Sequence, residues 1–142
     1  MIMKILKFEK YITEISTWKK SWVNDDWGRE IGSEYPPNEI FEYIESFHDV
    51  EDNDTDFYER VFNHQKYILK EILMDSLNLD EYTLDDDKVE EYENGFKEYK
   101  KYPPIVVDDE NSIIDGLHRA NALKNLGYNT IKAYVGDGSP DF

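Results

Sequence analysis

The chain has no cysteine among its 142 residues. Disulfide bonds, thiolate metal sites and any reaction that passes through a cysteine thiol are therefore excluded. Long apolar runs are also missing, since none approaches the roughly 18 residues of a membrane-spanning helix. The first eight residues are too short and too interrupted by lysine to form a signal peptide. We therefore expect a cytoplasmic protein with no membrane partner.

Positive charge is also scarce, because 16 Lys and Arg face 32 Asp and Glu and give a net charge of −16. Such a surface repels nucleic-acid phosphates, so direct nucleic-acid binding is disfavoured. The acidity has two interpretations, which both stay open: it keeps the protein soluble, or it docks on a basic protein partner as a nucleic-acid mimic would. Hydrophobic residues make up 39% of the chain and aromatic residues 15%, which is enough for a folded core.

The first part of the chain shows helical spacing of apolar residues. One such pattern follows Pro37, and the longest runs from Asp56 to Leu77, where we predict a single helix. The acidic run from Asp49 to Asp56 lacks the central glycine and final glutamate of a calcium loop, so we interpret it as a solvated loop. His48 and His64 have no second histidine at ligand spacing, and the residues therefore predict no metal site.

A second pattern fills the stretch from Tyr102 to Val135. Ile105 to Val107 and Ser112 to Ile114 are β-branched runs around a polar turn, which predicts a β-hairpin. Helical spacing follows, and Gly127 stands where a C-terminal helix cap belongs. Thr130 to Val135 then reads as a further strand, with Ile131, Ala133 and Val135 on one face.

The chemistry-bearing residues lie between the hairpin and the helix, at Asp115-Gly116-Leu117-His118-Arg119, which we call the DGLHR turn. Glycine lets the backbone approach a ligand closely, and the first amides of a helix are unpaired donors with a partial positive charge. His118 and Arg119 add side-chain donors, so the turn suits a phosphate. The alternative is a plain turn in which Asp115 caps the helix and Arg119 forms a surface ion pair. No Asp or Glu occurs from Leu117 to Gly136, which favours an anion site.

These residues resemble the ParB/sulfiredoxin superfamily. The shared features are a Pro-Pro-Ile strand at Pro103 to Ile105, a Gly-x-His-Arg motif at Gly116 to Arg119, and a helix that ends in glycine. Thr83 to Val89 is similar to the start of the helix that precedes the Pro-Pro-Ile strand in sulfiredoxins. The resemblance covers about Leu69 to Gly136. It implies an α+β fold with a small mixed β-sheet domain at residues 64–142. The helical patterns that precede it predict a helical N-terminal extension at residues 1–63, packed on that domain.

The resemblance also implies a site. In the superfamily the Gly-x-His-Arg turn binds nucleotide phosphates, which gives that role to Gly116, His118 and Arg119. A lysine early in the preceding helix contacts the nucleotide in sulfiredoxins, and Lys88 stands at the matching place. The Asp-Gly-x-His-Arg form resembles free-serine kinases of the same superfamily, so Asp115 is the expected base or metal ligand and His118 the second catalytic residue.

Some positions depart from the superfamily pattern. The hydroxyl residues that follow the lysine in sulfiredoxins are Glu91 and Gly95 here. Leu117 replaces the sulfiredoxin cysteine, so sulfinic-acid reduction through a thiol is excluded. The DNA-binding helix-turn-helix region of ParB proteins is not recognisable in this sequence.

Two hypotheses of function follow. In the first, the protein binds ATP or a related nucleotide, with Mg²⁺ on the phosphates, and either hydrolyses it or transfers a phosphoryl group to a small-molecule acceptor. In the second, it is an acidic interaction or inhibitor protein of phage or mobile-element type that keeps the fold without catalysis. Nuclease activity, a third idea within the superfamily, is opposed by the net negative charge.

Overall fold

A computed structural model describes residues 30–45, 55–79, 84–99 and 102–139 of the chain. Residues 1–29 of the predicted extension, His48, and the acidic residues from Asp49 to Asp54 lie outside these ranges. Among the residues described, no helix is long and apolar enough to cross a membrane.

The described ranges form a five-stranded sheet with four α-helices and a short 3-10 helix. In chain order the elements are β1 (Glu34–Tyr35), α1 (Pro37–Glu45), α2 (Thr55–Phe62), β2 (Lys66–Leu73), the 3-10 helix Met74–Ser76, α3 (Asp86–Tyr99), β3 (Ile105–Val107), β4 (Ile113–Asp115), α4 (Leu117–Asn125) and β5 (Thr130–Asp137).

The sheet has the strand order β1-β2-β5-β3-β4. Strands β3 and β5 run parallel, whereas β1 with β2, β2 with β5, and β3 with β4 are antiparallel. The predicted α+β fold with a small mixed sheet is therefore confirmed. Since β3 lies between β5 and β4, the DGLHR turn begins at the edge of the sheet.

Helices cover both faces of the sheet, and each face has its own apolar cluster. Strand β5 shows the division, because Ile131, Ala133 and Val135 belong to the cluster under α3 and α4 while Tyr134 belongs to the other one. The shared face predicted for those three residues is thus confirmed. Ile40 and Ile44 of α1 join Tyr134 in the second cluster and are each 1% exposed.

The described part of the predicted extension pairs with and packs on this same sheet. Strand β1 pairs with β2, so Glu34 lies opposite Ile68 and Tyr35 opposite Tyr67. Helices α1 and α2 supply buried residues to the second cluster. In the described residues of the extension, 30–45 and 55–63, the elements are therefore β1 and two helices, and the division of the chain at residues 63 and 64 stays a prediction.

The single helix predicted from Asp56 to Leu77 is wrong. Helix α2 ends at Phe62, and residues 66–73 form β2, which pairs with β5 along its full length from Lys66 opposite Asp137 to Leu73 opposite Thr130. The apolar residues in this stretch fit both a helical and a strand period. Pairing with β5 and burial of Tyr67 and Leu69, both 0% exposed, favour the strand.

The local predictions around the DGLHR turn are confirmed. Asp108 closes the β3–β4 hairpin, because its Oδ1 accepts hydrogen bonds from the amides of Glu110 at 2.9 Å and Ser112 at 2.8 Å. Helix α4 ends at the expected glycine, since Gly127 has φ +91° and the Tyr128 amide donates to the Leu123 carbonyl at 3.0 Å.

Candidate functional site

Gly116 makes the change from β4 to α4 sterically feasible. Its φ of +107° lies in the left-handed region, which side chains rarely adopt. A Cβ atom built on it would also lie 2.6 Å from the Ile105 Cγ2 and 2.9 Å from the Ile105 Cβ. Glycine is therefore required here by backbone conformation and by the neighbouring strand. As the residue before α4, it has no side chain to cap the first amides of the helix.

The start of α4 has the electrostatic character of an anion site. The first intrahelical hydrogen bond joins the Ala120 amide to the Gly116 carbonyl at 2.8 Å, so the amides before Ala120 precede the helical ladder. The first turn contains no acidic residue. The partial positive charge of this helix end is therefore not neutralised by a carboxylate within its own first turn.

His118 connects the starts of two helices. Its Nε2 accepts a hydrogen bond from the backbone N–H of Asp85 at 3.0 Å. Only a neutral imidazole has an acceptor nitrogen, so this contact places the ring proton on Nδ1. Asp85 in turn caps α3, because its Oδ1 accepts from the amides of Asp87 at 3.0 Å and Lys88 at 3.4 Å. The amino-terminal ends of α3 and α4 are thereby held together.

Lys88 lies next to this junction, in the first turn of α3, with an exposed side chain. The structure therefore brings together Lys88, Gly116 and His118, three of the residues predicted from the sequence. Two exposed acids, Asp86 and Asp87, occupy the same helix turn. A phosphate at this place would meet one lysine, the start of α4 and three carboxylates, those of Asp85, Asp86 and Asp87. The local field is thus mixed rather than uniformly positive.

The first and last residues of the DGLHR turn, Asp115 and Arg119, have side chains that lie in the protein interior. The Arg119 Nη2 donates to the Asp115 Oδ2 at 3.3 Å and to the Pro104 carbonyl at 3.1 Å. The side chains of Arg119 and Asp115 are 1% and 9% exposed, respectively. The alternative considered from the sequence, a surface ion pair for Arg119 with Asp115 as a helix cap, is therefore wrong in both details, because the pair is buried and no side chain caps the helix. In this arrangement Arg119 and Asp115 are engaged with each other, and the phosphate contact predicted for Arg119 and the catalytic role predicted for Asp115 stay predictions.

Two tyrosines that the sequence did not single out for the site surround Arg119. Burial disfavours the charged guanidinium, but Asp115, Tyr43 and Tyr92 outweigh this effect and raise the pKa of Arg119 above its ordinary value. Burial raises the pKa of Tyr92, and the positive charge of Arg119 partly opposes that rise. Tyr92 lies on the inward face of α3 with Val89 and Phe96, and these three side chains are buried. Nothing in the sequence around Tyr43 indicates its link to Arg119.

The described residues hold no group of three or more His, Asp or Glu side chains that is arranged to bind a metal ion. Mg²⁺ commonly binds nucleotides through phosphate oxygens and only one or two carboxylates. The Mg²⁺ included in the nucleotide hypothesis stays a prediction.

The family model of the ParB N-terminal domain matches residues 58–140, which is more than half of the chain. The chain belongs to the ParB N-terminal domain family. The match begins within α2 and contains every strand from β2 onward, together with the DGLHR turn. Strand β1 and helix α1 precede it. No curated protein matches the chain.

Several solved structures resemble this ParB N-terminal domain protein. A Pnob8-like ParB-N domain is 21% identical with a TM-score of 0.43, and the match covers 50% of this chain and 30% of that one. Another structure of a pNOB8-like ParB N-domain is 23% identical with a TM-score of 0.40, covering 50% and 28%. Sulfiredoxin from Arabidopsis thaliana is 24% identical with a TM-score of 0.43, covering 49% of this chain and 85% of that one.

Proposed function

We propose that this protein binds ATP or a related nucleotide through its phosphates, at the DGLHR turn and the start of α3. The observation that carries the proposal is the hydrogen bond from the Asp85 amide to the His118 Nε2 at 3.0 Å. It holds the start of α4, which has no side-chain cap, beside the first turn of α3 that carries Lys88, and an uncapped helix start is a favourable position for phosphate oxygens. The superfamily resemblance implies the same location.

Each residue has a distinct role in this proposal. The early amides of α4 donate to phosphate oxygens, with Gly116 allowing close approach of the backbone. Lys88 neutralises part of the phosphate charge from the exposed first turn of α3. His118 is neutral and orients the two helices through its Nε2. Mg²⁺, bound mainly by the phosphates, would offset the repulsion from Asp86 and Asp87.

The interior pair has a supporting role. Because Arg119 is 1% exposed, its guanidinium supports the turn from below, and direct contact with a phosphate needs a rearrangement. Asp115 is the only carboxylate within the turn, and it can act as base or metal ligand once separated from Arg119. With these groups, either hydrolysis of the nucleotide or phosphoryl transfer to a small-molecule acceptor is the proposed chemistry.

The test is a thermal-shift and calorimetry series with ATP, ADP, CTP and GTP, each with and without Mg²⁺. A nucleotide present at 100 times its Kd should stabilise the folded protein by about 2.7 kcal/mol. Lys88→Ala should weaken binding, whereas Lys97→Ala, at the opposite end of the same helix, should not. Absence of binding by all four nucleotides, or equal losses in the two lysine variants, would reject the proposal.

The second candidate is an acidic interaction or inhibitor protein, of phage or mobile-element type, with a basic protein partner. It is supported by the net charge of −16 and by the exposed acids Asp86 and Asp87 at the start of α3. Glu91 and Gly95 stand where sulfiredoxins have hydroxyl residues, which also favours a site without catalysis. Capture of one basic partner, lost at raised salt and on neutralising the acids from Asp49 to Asp56, would favour this candidate.

A further inference from the structure

Helix α1, which precedes the family-matched segment, reaches the polar network under the DGLHR turn through one side chain. The Tyr43 hydroxyl donates a hydrogen bond to the carbonyl of Pro104. The same carbonyl accepts from the Arg119 Nη2 at 3.1 Å. A carbonyl oxygen has two lone pairs, so both donors are satisfied at once. Tyr43 and Arg119 therefore fix one acceptor from two different helices.

The position of that carbonyl matters for the turn in two ways. Arg119, held at one side by Pro104, pairs at the other with Asp115, the first residue of the turn. The next residue along the chain, Ile105, has its side chain packed where a Cβ of Gly116 would lie, 2.6 Å from the Ile105 Cγ2. Movement of the backbone at residues 104–105 would consequently displace both ends of the turn.

Tyr43 has a second function in packing, which has to be separated from its hydrogen bond. Its ring lies edge-on against Tyr134, with centroids 5.0 Å apart, and contacts both apolar clusters. Tyr67 offers a matched comparison on the same side of the sheet. Its hydroxyl also donates to a backbone carbonyl, that of Val61 at 2.7 Å, but this bond joins β2 to α2 and includes no residue of the turn.

We propose that Tyr43 is a positioning residue for the DGLHR turn, so that helix α1, outside the family-matched residues 58–140, forms part of the functional site. Its hydroxyl holds the Pro104 carbonyl against the Arg119–Asp115 pair and thereby sets the direction in which the first amides of α4 point. The part of this inference that concerns ligand affinity rests on the proposed nucleotide binding. The part that concerns the geometry of the turn does not.

The experiment compares Tyr43→Phe with Tyr67→Phe, since each removes one hydroxyl and keeps the ring. Backbone amide NMR signals and hydrogen exchange are recorded without ligand. We expect Tyr43→Phe to shift the signals of Gly116, Leu117 and His118 and to speed exchange at Ala120. Tyr67→Phe should leave these signals in place. With ATP as the probe, Tyr43→Phe should weaken binding about fivefold, the effect of one neutral hydrogen bond, and Tyr67→Phe should not.

A double-mutant cycle of unfolding free energies adds a test that holds even if the single variants lose stability. Tyr43→Phe combined with Asp115→Asn should be non-additive, whereas Tyr67→Phe combined with Asp115→Asn should be additive. Wild-type turn signals in Tyr43→Phe, or equal shifts in both tyrosine variants, would overturn the inference. If wild-type protein binds no ATP, the nucleotide proposal fails, while the ligand-free signals and the cycle still decide the role of Tyr43.

Discussion

Arg119 of α4 and Asp115 of β4, four residues apart in the chain, form an ion pair inside the protein, with the Arg119 Nη2 and the Asp115 Oδ2 separated by 3.3 Å. The pair divides the DGLHR turn into two layers. Asp115 and Arg119 lie inward and bind β4, α4 and the Pro104 carbonyl together. Gly116 and His118 lie at the junction of α3 and α4. Part of the DGLHR motif therefore stabilises the backbone of the turn itself and does not face a ligand.

Breaking this pair should be costly. We expect Arg119→Met to destabilise the protein by about 3 to 5 kcal/mol, because Asp115 is then left as a largely buried charge without its cation. Arg119→Met combined with Asp115→Leu should cost less than the sum of the single changes. The measurement is urea unfolding followed by circular dichroism.

The exposed pair of Lys66 and Glu34 is the matched control, with an Nζ to Oε1 distance of 2.8 Å and side chains 36% and 57% exposed. Lys66→Met should leave stability almost unchanged, since solvent screens surface pairs. A loss in Arg119→Met no larger than that in Lys66→Met would contradict the interior role of Arg119.

Gly116 and Gly127 both have a left-handed backbone, but only Gly116 is close to a neighbouring side chain. Alanine variants of the two therefore separate the stability cost of backbone strain from that of a steric clash. Gly116→Ala should cost about 2 to 4 kcal/mol, since a strained φ and a clash with Ile105 act together. Gly127, with φ +91°, has no neighbouring atom within 4 Å of the place where a Cβ would lie, so Gly127→Ala should cost only about 1 to 2 kcal/mol. Unfolding of the two variants side by side checks this order, and equal costs would show that Ile105 yields to the methyl group.

Local signals in the sequence were sufficient for much of the fold. The hairpin of β3 and β4, helix α4 with Gly127, and strand β5 follow from β-branched runs, turn residues and a capping glycine within short windows. Residues 66–73 were assigned wrongly because their apolar spacing fits two periods, and the partner that selects the strand, β5, lies far along the chain.

The candidate site was predictable only in part. The sequence indicated the DGLHR turn and Lys88, and the structure places them together through Asp85 and His118. It did not indicate the inward direction of Arg119, because that direction depends on Pro104, whose carbonyl is positioned by the sheet. The contribution of Tyr43 depends on the packing of α1 and has no local signal at all.

His118 provides a spectroscopic prediction. Because its Nε2 accepts from the Asp85 amide, long-range ¹H–¹⁵N NMR at neutral pH should show a neutral ring with the proton on Nδ1. His118→Gln identifies the signal by its loss, and His64 is the internal comparison. Addition of a proton to Nε2 would place two donors face to face, so acid that protonates His118 should also release the Asp85 amide to faster exchange. A ring with its proton on Nε2 would refute the bridge between α3 and α4.

Alkaline pH should weaken the fold through buried phenols. Burial raises the pKa of Tyr67, Tyr92 and Tyr102 above the ordinary tyrosine value of 10.0, with the charge of Asp108 adding to the effect at Tyr67. The unfolded chain releases these protons near pH 10, whereas the folded chain retains them to higher pH. Their contribution to stability is therefore complete below that pH and is lost as the pH rises above it.

Replacing one of these tyrosines with phenylalanine should make the loss of stability with rising pH less steep. Tyr67→Phe removes the hydroxyl that donates to the Val61 carbonyl, so it should cost about 1 kcal/mol at pH 8. Above pH 10, however, its free energy of unfolding should fall less steeply than that of the wild type, because one fewer group takes part in the linkage. Tyr58→Phe is the control, since Tyr58 is 52% exposed and its loss should leave the slope unchanged. Urea unfolding across this pH range measures the slopes, and identical slopes for Tyr67→Phe and the wild type would show that the Tyr67 phenol ionises without unfolding.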